Sequence, residues 1–95
     1  MSKLTLIEDT TATLVGGPAT SLFSILISNT EPPAAITVDF HDCTATGDLA
    51  AGNKKASVTL SAQATNVSHF FDGALFVKGL VVKSDTACTI TIESE

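Results

Sequence analysis

The side chains best equipped for chemistry fall within five residues, Asp39-Phe40-His41-Asp42-Cys43. Alternate residues of an extended chain share a face, so Asp39, His41 and Cys43 line up on one side of a strand, the side away from the core. A thiolate nucleophile needs a neighbouring imidazole to lower the thiol pKa and an acid to orient the ring. Those residue types are present, with His69 as a second candidate base. The surroundings such a centre requires are missing: there is no strand-to-helix elbow, no glycine-flanked nucleophile and no helix N-terminus to hold an oxyanion. His41, Cys43 and His69 also fall one short of the four ligands of a structural zinc, and no C-x-x-C or H-x-x-x-H pair completes the set. Gly52-Asn53-Lys54-Lys55 lacks the frame and following helix of a phosphate loop. Cys88 is in phase with Ile90 and Ile92 and reads as a buried small hydrophobe. No catalytic, cofactor or metal residues are assigned, and the expectation is a protein that is not an enzyme.

The elements that would carry these residues are strands. The chain has 95 residues, 44% hydrophobic and 16% charged, which suits one small domain spanning residues 1–95. Its longest apolar stretches, residues 22–27 and 74–82, are shorter than the roughly 20 residues of a membrane helix, so no membrane partner is expected. The net charge is −5, with five Lys and no Arg, which argues against nucleic acid as a partner. Trp and Tyr are absent, so a carbohydrate site would have to stack on Phe.

Thr, Val and Ile recur in short bursts broken by turn residues every eight to twelve positions, the spacing of a sandwich or barrel. Strands are expected at residues 3–7, 11–15, 20–29, 35–42, 57–61, 67–71, 74–83 and 87–93, with turns at Gly16-Gly17-Pro18, Asn29-Thr30-Glu31-Pro32-Pro33 and Asp72-Gly73. Gly79 suggests a bulge or a close backbone approach. Residues 43–55 form the longest non-periodic stretch and the best candidate for an exposed binding loop. Seven to eight short strands without helices make an all-β, two-layer antiparallel β-sandwich, of jelly-roll or immunoglobulin-like type.

Two of these strands are apolar on both faces. Phe23, Ile25 and Ile27 oppose Leu22 and Leu26, and residues 75–82 behave likewise, whereas a solvated sandwich strand is polar outside. Leu22, Leu26, Phe70, Phe76 and Val81 are the candidate interface residues, covered by a second copy of the chain in a homo-oligomer. A competing reading is a sandwich that recognises a glycan or a protein through residues 43–55, with Phe76 or Phe70 as the apolar contact.

Gly17-Pro18-Ala19 leading into residues 22–29, then Ala35-Ile36-Thr37-Val38-Asp39, then residues 71–82 with Gly79-Leu80-Val81-Val82, and finally residues 87–93, resemble the small β-sandwich virion accessory proteins of tailed bacteriophages, the head-decoration or cement type. The resemblance covers most of the chain after residue 16. It implies a noncatalytic structural protein of the virion that assembles, often as a trimer, and binds the major capsid or another virion protein in many copies. It carries over no functional residues. The chain opens Met1-Ser2-Lys3-Leu4-Thr5 without the features of a secretory signal, so synthesis in the host cytoplasm and free thiols at Cys43 and Cys88 are expected.

Overall fold

Period-two alternation of β-branched and polar residues forms eight strands in the computed structural model, which describes residues 3–28, 35–61 and 66–95. They are β1 (Lys3–Ile7), β2 (Thr13–Gly16), β3 (Thr20–Ser28), β4 (Ile36–Asp42), β5 (Lys54–Leu60), β6 (Asn66–Phe76), β7 (Leu80–Ser84) and β8 (Thr89–Ser94). The first sheet has the order β1-β8-β3-β6 and the second β2-β7-β4-β5, and every pairing is antiparallel. Successive strands cross between the sheets except for the β4–β5 hairpin. That order is a jelly roll, which decides between the two sandwich types left open by the sequence.

The core lies between the sheets. Ile25, Ile27, Ile90 and Ile92 from the first meet Ile36, Val38, Phe40 and Val82 from the second, all fully or almost fully buried. Phe71, at the edge of the core, tilts against Phe40 at a ring separation of 5.3 Å. The two open sides of the sandwich are each closed by a lysine that crosses between sheets: Lys3 Nζ donates to the Val15 carbonyl at 2.7 Å, and Lys55 Nζ to the Leu75 carbonyl at 2.6 Å. The aliphatic stems cover apolar edges while the ammonium satisfies a strand-end carbonyl.

Two strands depart from simple alternation, and both departures move residues between faces. In β3 the register shifts between Leu22 and Ser24: Phe23 is an extra residue opposite β8, whereas on the other side three residues of β6, Phe71, Asp72 and Gly73, stand opposite it. An extra residue reverses the phase on one side of it. Leu22 therefore joins Ile25 and Ile27 in the core rather than Leu26 on the outside. In β6, Asp72 and Gly73 adopt positive φ (53° and 80°) as a bulge facing Phe23, and the strand runs on to Phe76. No hairpin turn forms at Asp72-Gly73; the chain leaves β6 only at residues 77–79, with Gly79 at φ 154°, and crosses there to β7 in the second sheet. The Gly16-Gly17-Pro18 turn is present, with Thr20 Oγ1 donating to the Gly17 carbonyl at 2.6 Å. The turn expected at residues 29–33 lies outside the described residues.

The turn at residues 77–79 has a physical anchor. The Asp42 carboxylate, at the end of β4, accepts the amides of Val77 (3.3 Å), Lys78 (2.7 Å) and Gly79 (3.3 Å). A side chain on Gly79 would place its Cβ 2.6 Å from the Cys43 carbonyl oxygen, so close approach excludes anything larger than hydrogen there.

Candidate interaction surface

The reactive residues of β4 are all engaged in holding the fold. Asp39 accepts a hydrogen bond from Ser57 Oγ at 2.7 Å across the β4–β5 ladder. His41 is buried on the outer side of the second sheet, its Nδ1 2.7 Å from Asn53 Oδ1. Asn53 Oδ1 also accepts the Ala50 amide (3.1 Å) while its Nδ2 donates to the Asp48 carbonyl (2.8 Å), so the oxygen is the acceptor and the His41 proton sits on Nδ1. The sequence placed His41 on an exposed face; the connection from β4 to β5, with 3-10 turns at Thr46–Asp48 and Ala51–Asn53, folds back and covers it. Cys43 is buried by the same connection, and its thiol contacts the Ala45 carbonyl at 3.5 Å.

His69 lies elsewhere, exposed on β6 and packed on the Phe71 ring at 4.7 Å. No group of three or more His, Cys, Asp or Glu among the described residues is placed to hold a metal ion. Cys88 is buried beside Ser84 Oγ at 3.8 Å; desolvation pushes its thiol pKa up, against the Ser84 hydrogen bond. The surface of the described residues has no pocket.

What the surface does offer is apolar. Leu4 (71% exposed), Leu6 (59%), Leu26 (41%) and Phe70 (79%) all lie on the outer face of the first sheet. The ladders place them in two rows across the four strands, Leu4–Glu93–Ser24–Phe70 and Leu6–Thr91–Leu26–Ser68. Glu93, half-buried within the face, accepts a hydrogen bond from Ser24 Oγ at 3.2 Å. Leu75 and Val77 extend the exposed apolar surface along β6 and past its end.

Of the five residues expected at an interface, Leu26 and Phe70 are on this face. The other three are covered by the chain itself. Leu22 is carried inward by the Phe23 bulge, and Phe76 packs in the core beneath Lys55, whose ammonium lies 5.4 Å from its ring centre. Val81 points to the outer side of the second sheet but is fully buried, between Leu14 of β2 and His41 of β4. Of the two apolar contacts expected for a glycan or protein site, Phe76 is internal, and Phe70 is exposed on the first sheet whereas the 43–55 segment connects β4 to β5 of the second. Leu4 and Leu6 join Leu26 and Phe70 from β1, and the sequence carries a signal for this: K-L-T-L-I sets both leucines on the face opposite Lys3, Thr5 and Ile7, so burying Ile7 leaves them outside.

No protein-family model matches the chain, and no curated protein matches it. Among solved structures it is similar to the subunit of Bacillus endospore appendages, a family of disulfide-linked pili, at 11% identity and a TM-score of 0.54 over 99% of this chain and 82% of that one. It is also similar to PirA, at 17% identity and a TM-score of 0.44 over 98% and 90% of the two chains. At 11% identity the likeness to the appendage subunit is one of fold alone.

Proposed function

We propose that this chain is a noncatalytic structural subunit that assembles with copies of itself, and that the assembly belongs to a bacteriophage particle, where it decorates the capsid. The observation that carries self-assembly is the outer face of the first sheet. A sandwich face turned to water is polar; here Leu4, Leu6, Leu26 and Phe70 together leave on the order of 500 Å² of apolar surface, at the upper end of what a monomer exposes. A 95-residue sandwich has a modest core, and covering this face adds to it. The virion setting is supported by the resemblance of residues 17–29, 35–39, 71–82 and 87–93 to phage decoration proteins.

The jelly roll shared with a pilus subunit supports a second reading, a fibre-forming appendage protein. In that reading the contacts are noncovalent, because Cys43 and Cys88 are both buried and free.

Light scattering on the purified protein is the first test: the expected result is a mass several-fold above 9.8 kDa at micromolar concentration, and a stable monomer overturns self-assembly. Mass spectrometry of purified virions then tests the setting. Many copies per particle support decoration; absence from the particle together with fibres in the electron microscope moves the protein to the appendage reading.

A further inference from the structure

The four sheet edges of this sandwich differ in how they are finished. Those of the second sheet are blunted: β2 is four residues long with a register shift at Val15, and β5 opens on Lys54 with a shift opposite Phe40 and His41. Short length, irregularity and lysine are the usual protections against pairing with another chain. The edges of the first sheet keep regular stretches, outside the Asp72-Gly73 bulge of β6 and with a lysine only at the start of β1. From Asn66 to Phe70, β6 pairs regularly with β3 and contains neither Lys nor Pro, and β1 is a regular five-residue strand whose only charge, Lys3, is drawn to the Val15 carbonyl. Both carry the exposed apolar residues, Leu4 and Leu6 on β1 and Phe70 on β6.

From this we infer that the first sheet continues from copy to copy, β1 of one subunit pairing with β6 of the next, an inference that rests on the self-assembly reading. The geometry of the two edges is complementary in three respects. Three antiparallel ladders separate β1 from β6, so the two run in opposite directions and a copy set alongside adds its β1 antiparallel to β6. The rows that cross the sheet end on residues of matching facing: Leu4 and Phe70 outward, Leu6 and Ser68 outward, Thr5 and His69 inward, Ile7 and Val67 inward. Continuing those rows sets Leu4 beside Phe70 of the neighbour, an aliphatic–aromatic cross-strand pair of the stabilising kind. Lengths match too, since the five residues of β1 face residues 67–71, ahead of the Asp72-Gly73 bulge.

A contact between two different edges is heterologous, so it propagates. Each strand adds about 4.8 Å and about 20–25° of twist, so a four-strand subunit adds about 19 Å and close to a quarter turn. The product is an open fibre with about four copies per turn rather than a flat ring.

The test is a Leu4→Cys/Phe70→Cys double variant, usable because the native thiols are buried. Oxidation is expected to give a ladder of species on a non-reducing gel at multiples of 9.8 kDa, collapsed by reductant. A ladder-free gel from a protein that light scattering shows to be assembled overturns the edge pairing and leaves self-assembly standing. Dimers formed as readily by Phe70→Cys alone also overturn it, in favour of a two-fold β6–β6 contact, while a monomeric wild type removes both readings. Phe70→Lys gives an independent check: the exposed side chain can change without unfolding the subunit, and the mass is expected to fall to 9.8 kDa, whereas Thr59→Lys on the edge of the second sheet leaves it unchanged. A fully assembled Phe70→Lys protein overturns the proposal.

Discussion

Removal of the Asp42 carboxylate tests whether one side chain sets the turn between β6 and β7. Three backbone amides converge on it, that of Lys78 at 2.7 Å and those of Val77 and Gly79 at 3.3 Å. A hydrogen bond to a charged group contributes about 1.5–3 kcal/mol when well formed, and two of these are long and near solvent, so the Asp42→Ala loss is set at about 2 kcal/mol. Asp42→Asn keeps one carbonyl acceptor and is expected to lose about 1 kcal/mol. For a domain of this size, 2 kcal/mol corresponds to about 8–16 °C in Tm. Desolvation pushes the Asp42 carboxyl pKa up, but the amides of Lys78, Gly79 and Val77, helped by Lys55, outweigh it and hold the group below 3.8. A folded-state pKa lowered in this way stabilises the protein above the unfolded pKa, and the contribution is lost as pH falls through the folded one. The gap between wild type and Asp42→Asn is therefore expected to be constant from neutral pH to about pH 4 and to close below it. Urea unfolding at one fixed protein concentration, repeated from pH 7 to pH 2.5, measures this. An unchanged midpoint for Asp42→Ala, or a gap that persists undiminished at pH 2.5, refutes the assignment.

The same structure makes other outcomes definite. Gly79→Ala forces a Cβ against the Cys43 carbonyl at a backbone angle disfavoured for L-residues, and thermal melts are expected to show a loss of about 2–3 kcal/mol. Leu22→Ala and Leu26→Ala separate core from interface: the first is expected to cost about 2–5 kcal/mol of subunit stability, the second within about 0.5 kcal/mol in unfolding while lowering the mass seen by light scattering. Asn53→Ala removes the bonds that hold the β4–β5 connection over His41, so the Cys43 thiol is expected to label several-fold faster under native conditions, with Cys88 labelling unchanged.

Strand existence and fold class were legible because they depend on local alternation. Ile36, Val38 and Phe40, or Cys88, Ile90 and Ile92, face inward in the sandwich as their spacing requires. The β3 faces were not legible because a bulge is a property of two strands together: T-S-L-F-S-I-L-I-S contains no mark that Phe23 is the extra residue until β8 is laid beside it. The end of β6 was not legible for a similar reason. Asp72-Gly73 has turn chemistry, but the place where the chain leaves β6 is set by Asp42, more than thirty residues earlier in the chain.

Residue types and period alone determined that this is a small all-β sandwich with more apolar surface than one copy can hide, and that its Asp39–Cys43 stripe lacks the frame of a catalytic centre. Which side chains make up that surplus was a tertiary decision. Strand order puts Leu4, Leu6, Leu26 and Phe70 on one face, the bulge takes Leu22 away from it, and the β4–β5 connection covers His41 and Cys43. Alternation fixes which residues share a side of one strand. Only the packing of strands against one another determines which side meets water.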